Sequence, residues 1–181
     1  MRMLPVILMA TALISPLPSG ETMLPLGKPM PPLKGEFLTG RQALLPDAAS
    51  GRVALLALGF TYNSRFAVEA WIGCFRKDFA DNPQVTFYEV PMIGGMARLG
   101  GWFIDRGMRR GTPTQDWGNV ITVYGGTDLW KQRLGFQSPD AAYLVLLDRH
   151  GIVRWRHRGV FDEVAYKDLS IQMVILLQEP Q

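Results

Sequence analysis

Residues 52–92 constrain this chain more than any other stretch. Arg52–Phe60 (RVALLALGF) is a continuous apolar run bounded by Gly51 and Thr61. Its length and bounds suit a central strand buried on both faces. Residues 64–80 follow with helical spacing. Val68, Trp71, Ile72, Phe75 and Phe79 fall on one stripe, while Arg76, Lys77 and Asp78 turn outward. Asn82-Pro83 ends that helix, and Gln84–Met92 (QVTFYEVPM) is a second apolar strand. Two strands joined by a helix within one sheet run parallel, with a right-handed crossover.

The flanking segments fit around this unit. Gly35–Leu45 reads as a short hairpin turning at Thr39-Gly40. Residues 94–111 are rich in Gly and read as a loose or broken helix. Val120–Tyr124 is a short strand and Asp128–Leu134 a short helix. Ala141–Leu147 and Ile152–Arg158 are two strands joined by Asp148-Arg149-His150-Gly151, a link whose last Gly suits a left-handed position. Asp162–Leu177 is a closing helix. Val164, Leu169, Met173, Val174, Leu176 and Leu177 are expected to face inward, and Asp162 and Glu163 sit favourably in the first turn. The class is α/β, a mixed central sheet with helices on both faces and an N-terminal β-hairpin.

Composition removes several functions. The 181 residues include one Cys and two His, and the formal net charge is +3. One cysteine, Cys74, forms neither an intrachain disulfide nor a C-x-x-C pair, and no Cys-rich zinc site is available. No carboxylate cluster with metal-ligand spacing is visible, so no metal or other cofactor is implied. The charge balance does not indicate a nucleic-acid partner. The Gly-rich stretch MIGGMARLGG lacks both G-x-G-x-x-G and G-K-[ST], so it is not read as a phosphate loop.

The N-terminus has export character. Arg2 precedes the apolar run Leu4–Ile14, which Pro16 and Pro18 end. This is too short to span a bilayer and suits a signal peptide over residues 1–20, or else an uncleaved anchor. The expected location is periplasmic or secreted, with membrane association allowed; a single Arg disfavours a mitochondrial presequence. Residues 21–34 carry Pro25, Pro29, Pro31 and Pro32 and read as an extended lead-in, so the folded domain is expected over 35–181.

Four places carry chemistry. The first is the turn Thr61-Tyr62-Asn63-Ser64-Arg65, between the central strand and its helix, where free backbone N–H groups favour an anion or a thiolate. Ser64 there also suits a helix N-cap. The second is Cys74, ten residues into the helix and leaning toward the apolar stripe, as an inert core thiol does. The third is basic-aromatic: Trp102, Phe103 and Ile104 mix with Arg98, Arg106, Arg109 and Arg110. Such a mixture can lie on a membrane, grip a partner helix, or form the solvated face of a packed helix. In the last hairpin, alternation puts Val153, Trp155 and His157 on one face and Arg154, Arg156 and Arg158 on the other. Three like charges on one face suit a solvated edge strand or a surface that meets an anionic membrane or acidic partner. No acid or nucleophile pairs with His157 by spacing.

From the hairpin through the turn to the first helix, the order of elements resembles that of thioredoxin-like proteins. Their redox C-x-x-C belongs on the turn that here has no Cys. Phe60-Thr61-Tyr62-Asn63-Ser64 also resembles the peroxiredoxin pattern F-T-x-x-C, with Ser64 in place of the peroxidatic Cys. A serine hydroxyl cannot replace the thiolate, so neither peroxidase nor disulfide-exchange activity is expected. The closing segment is similar to the "ATP ten" family of mitochondrial ATP synthase assembly factors. The matching residues are Tyr143, Leu147, Asp148, Ile152, Arg154, Trp155, Gly159, Glu163 and Leu169. Arg156-His157-Arg158 stand where that family has small residues. Pro139 lies several residues before the place where thioredoxins carry a cis-Pro. The resemblance implies a thioredoxin-like fold without redox cysteines, acting as an assembly factor whose partner is a subunit of a membrane complex. Arg154, Trp155, Arg156, Arg158, Trp102, Arg106, Arg109 and Arg110 are the contact candidates. A second reading is a divergent peroxiredoxin-like oxidoreductase using Cys74. A third is a small-anion binder at Thr61–Phe66.

Overall fold

A computed structural model describes residues 23–94 and 101–180, and of residues 101–103 the backbone alone. The strands are β1 (Leu33–Phe37), β2 (Gln42–Leu45), β3 (Val53–Gly59), β4 (Val85–Ile93), β5 (Ile121–Tyr124), β6 (Ala142–Leu147) and β7 (Val153–Gly159). The helices are α1 (Ser64–Phe79), α2 (Gly101–Gly111), α3 (Thr127–Leu134) and α4 (Glu163–Gln178). Among the described residues the strands form one sheet, in the order β2-β1-β5-β4-β3-β6-β7. β3 pairs parallel with β4, and β4 with β5; β1, β6 and β7 enter antiparallel. The expected β–α–β unit, the first hairpin and the last hairpin are all present. Gly40 and Gly151 hold positive φ in the two hairpin turns, at 89° and 75°, which a Cβ would disfavour.

β3 is buried along its whole length, and its alternation serves two cores. Val53, Leu55 and Ala57 face a cluster with Trp71, Ile72 and Phe75 of α1 and Leu169, Met173 and Leu176 of α4. Ala54, Leu56 and Leu58 face the opposite cluster, with Leu24, Met30 and the α3 residues Trp130 and Leu134. Helices therefore cover both faces. Residues 101–111 form a regular helix rather than a broken one, and residues 95–100 of the Gly-rich stretch lie outside the described residues.

Two expectations about faces are corrected. In α4, Leu169, Met173 and Leu176 recur at steps of four and three and are buried, but Val164 is 79% exposed and Val174 is also exposed. Val164 lies five residues before Leu169, well off that stripe, and Ala165 and Tyr166 pack there instead. In β7, Leu146 pairs with Trp155 and Leu147 with Val153, so Arg154 is an extra residue in a β-bulge. The bulge moves Val153 to the Leu24 face, away from Trp155 and His157. One inserted residue reverses every side-chain direction beyond it.

The lead-in is part of the packing. Leu24 and Met30 are buried. Gly27 N–H donates to Val153 O at 2.7 Å, Val153 N–H to Lys28 O at 2.9 Å, and Met30 N–H to Gly151 O at 2.9 Å. The chain thus covers the start of the β7 edge. The signal segment over 1–20 lies outside the described residues.

Candidate functional site

The turn after β3 is closed by its own side chains. Thr61 Oγ1 accepts from Ser64 N–H at 3.1 Å, and Thr61 N–H donates to Ser64 Oγ at 3.2 Å. Ser64 Oγ–H donates to Thr61 O at 2.7 Å. This is a reciprocal capping arrangement with Thr61 as the cap and Ser64 closing the box, which corrects the expectation that Ser64 itself is the N-cap. Thr61 Oγ1 also lies 2.9 Å from Asp140 Oδ1 and 3.1 Å from Pro139 O, tying the turn to the loop before β6. Pro139 therefore stands beside the turn; the cis peptide among the described residues is Leu45–Pro46. Ser64 is 1% exposed. A Cβ added at Gly59 would meet Ser64 Oγ at 2.5 Å, so the strand backbone presses directly on this hydroxyl.

These bonds decide what the turn can do. The Thr61 and Ser64 N–H groups point to side chains, and Phe66 N–H donates to Asn63 O at 3.2 Å. Three of the donors around the turn are thus committed within it. The Ser64 hydroxyl is inaccessible, and its proton goes to a backbone carbonyl. Cys74, half-buried, is ten residues along α1 from Ser64, about 15 Å of helix rise. A helix N-terminus stabilises a thiolate only within its first turn.

What the turn does expose is aromatic. Tyr62 is 73% and Phe66 57% exposed. The Arg65 guanidinium lies between them, 4.2 Å from the Tyr62 ring centre and 4.6 Å from that of Phe66. Sequence reasoning singled out Asn63 and Arg65 but missed the two rings, because exposure of an aromatic is a tertiary property. Asn63 makes no side-chain cap bond.

The arginines of β7 do not form one stripe of three: the bulge sets Arg154 apart, while Arg156 and Arg158 stay on one face. Arg154, in the bulge, pairs with Asp148 Oδ2 at 3.1 Å and with both carboxylate oxygens of Glu179. The pair holds the Glu179 carboxyl below its usual range and raises the already high Arg154 pKa. Arg154 thus staples the end of α4 to the hairpin turn. Arg158 donates to Gly135 O at 2.8 Å and is exposed. Arg156 has no hydrogen-bond partner for Nε or Nη1 among the described residues, and both atoms are shielded from solvent. Burial, with Arg158 adding to it, lowers the Arg156 pKa.

On the opposite face, Trp155 Nε1 donates to Asp168 Oδ2 at 2.7 Å. His157 stacks on Trp155 with ring centres 5.7 Å apart. Its pKa is lowered by burial, with Arg158 reinforcing and Asp162 and Asp168 opposing. In α2, Arg109 Nε donates to Leu38 O at 2.7 Å and its guanidinium lies 5.8 Å from the Trp117 ring centre. Arg106 and Arg110 are exposed one turn apart, and the Trp102 side chain lies outside the described residues. The contact candidates are therefore spread over separate places and do not form one surface. Among the described residues no group of His, Cys, Asp and Glu has the arrangement of a metal site. No described helix is long and apolar enough to cross a membrane.

No family model matches the chain, and no curated protein matches it in sequence. Solved structures match in fold. BsSco, a member of the Sco family of cytochrome c oxidase assembly proteins, is 15% identical with a TM-score of 0.58; the match covers 87% of this chain and 98% of that one. A thiol peroxidase from Chromobacterium violaceum is 14% identical with a TM-score of 0.54, over 84% of this chain and 89% of that one. The exposed lipoprotein thioredoxin of Streptococcus pneumoniae strain TIGR4 is 13% identical with a TM-score of 0.53, over 80% of this chain and 99% of that one. The fold is thioredoxin-like, and the neighbours are thiol-disulfide proteins and their relatives.

Proposed function

We propose that this chain is a non-redox thioredoxin-like binding protein, exported from the cytoplasm, which assists the assembly of a membrane protein complex. The observation that carries this reading is the turn after β3. Where the fold keeps its thiol chemistry, this chain has a hydroxyl 1% exposed and spent on capping the helix. Its one thiol lies about 15 Å further along α1. The same turn presents Tyr62, Arg65 and Phe66 to solvent, the residue types that anchor protein interfaces.

The choice of assembly among binding roles rests on two similarities. The segment Tyr143–Leu169 resembles ATP synthase assembly factors, and a structural neighbour belongs to a family of cytochrome c oxidase assembly proteins. An exported location accords with the leader-like N-terminus and with a neighbour described as an exposed lipoprotein.

Two assays test this. Purified wild type and Cys74→Ser are compared for peroxide consumption and insulin-disulfide reduction in dithiothreitol. The expected result is no turnover above buffer for either. Turnover lost in Cys74→Ser would overturn the reading in favour of a peroxiredoxin-like oxidoreductase. In a strain lacking the gene, native gels of solubilised membranes should show less of one assembled complex. Wild type and Cys74→Ser should restore it, and the double variant Tyr62→Ala/Phe66→Ala should restore under a tenth as much.

A further inference from the structure

The β7 edge holds a cavity of about 470 Å³. Its apolar lining comes from Met23, Leu26, Leu134, Leu144 and Trp155, and its polar lining from Arg156, His157, Arg158 and Asp168. We propose that this cavity binds a small organic anion with an apolar body, with Arg156 as its counter-charge. The inference goes beyond the assembly role and does not depend on it.

The argument starts from an unbalanced charge. Asp168 is already engaged by Trp155 Nε1 at 2.7 Å. Arg158 has Gly135 O as an acceptor at 2.8 Å, but a carbonyl does not neutralise it. Arg156 has no acidic neighbour among its recorded contacts, and two of its nitrogens are desolvated without any acceptor among the described residues. A guanidinium cannot escape this by deprotonating near neutral pH. Buried polar groups in native proteins are satisfied by protein, water or ion, and an unpaired buried charge is strongly disfavoured. Two guanidinium groups against one occupied carboxylate leave the cavity net positive.

The rest of the lining narrows the ligand. Met23 and Leu26 are large apolar side chains left exposed at this cavity, and Leu134 from one face of the sheet and Trp155 from the other complete its lining around the β7 edge. A lone inorganic anion would leave that apolar surface uncovered. A volume of this size suits a small molecule that combines one anionic head with an alkyl or aryl body.

The test uses octanoate as probe, with octanol as the body without charge and inorganic phosphate as the charge without body. Binding is read by calorimetry and by the shift in melting temperature. Octanoate is expected to saturate and raise Tm, with octanol and phosphate at least tenfold weaker. Arg156→Met should weaken octanoate at least tenfold, while the ligand-free variant melts no lower than wild type because an unpaired charge has gone. Arg158→Gln, at an exposed position, should weaken octanoate about threefold or more and gives the same reading independently of how Arg156→Met folds. Octanoate binding no better than octanol overturns the proposal, as does wild-type octanoate affinity in both arginine variants. Sedimentation with phosphatidylglycerol vesicles without saturable octanoate binding overturns it in favour of a membrane surface.

Discussion

At the scale of single residues, burial sets what a charge does. Glu89 of β4 is pushed up to about 7, first by burial, then by Glu69 of α1; Arg76 of α1 opposes and Asp116 adds slightly. Arg76 is itself held by Asp116 in a two-point bridge, both bonds 2.9 Å, which limits what it offers Glu89. A carboxyl with a raised folded pKa binds its proton more tightly in the folded state. Its stabilising contribution is full below the unfolded value near 4.5 and is lost as pH rises through about 7. Wild type should therefore lose melting temperature between pH 5 and pH 8. Glu89→Gln should flatten that slope, melting level with wild type at pH 5 and about 2–5 °C above it at pH 8. Calorimetric scans of both proteins across that range check it. An unchanged slope in the variant would mean that Glu89 is ionised in the folded protein throughout.

At the scale of elements, the termini of α4 differ in how they are satisfied. Its start is capped locally: Asp162 accepts from Ala165 N–H at 2.8 Å, as the acidic pair at 162–163 suggested. Its end has no basic residue in the last turn. Arg149, from the β6–β7 turn, supplies the missing cation. Its Nη1 donates to Leu176 O at 3.0 Å and Glu179 O at 3.1 Å, and its Nη2 to Leu177 O at 3.4 Å. A cation at a helix C-terminus satisfies orphan carbonyls and complements the dipole. Arg149→Met should cost about 1–3 kcal/mol, since it strands a buried carbonyl. Hydrogen exchange should speed up first in the last two turns of α4. What the sequence showed and hid follows the same division. The β3–α1–β4 unit, both hairpin turns and the absence of a thiol at the turn are local patterns and were legible. The role of Arg149, the bulge at Arg154 and the exposure of Tyr62 and Phe66 depend on partners far away in sequence. Strict alternation put Arg154, Arg156 and Arg158 together; one extra residue set Arg154 apart, and Arg156 and Arg158 stayed on one face beside the lead-in.

At the scale of the whole molecule, the sheet must manage two open edges, β2 and β7. Unpaired strand edges invite aggregation, and charge or covering chain blunts them. β7 uses both devices. Gly27 and Lys28 bond to Val153 at its start, and Arg156 and Arg158 occupy the remainder. The lead-in is held there by Leu24, 1% exposed, whose N–H donates to Arg133 O at 2.7 Å in the last turn of α3. The same segment brings Met23 and Leu26 to the rim of the anion cavity. Stability, edge protection and the proposed ligand site therefore share one anchor. A leader ending at residue 20 would leave that anchor in the mature chain. Leu24→Ala should cost about 2–5 kcal/mol, the range for a buried leucine truncated to alanine. In a chain of this size that lowers Tm by about 5–15 °C. Leu26→Ala, at an exposed position, should shift Tm by about 1 °C or less. Thermal unfolding of the two variants side by side separates the cases. Equal, small losses would mean that the lead-in lies against the sheet without supporting it.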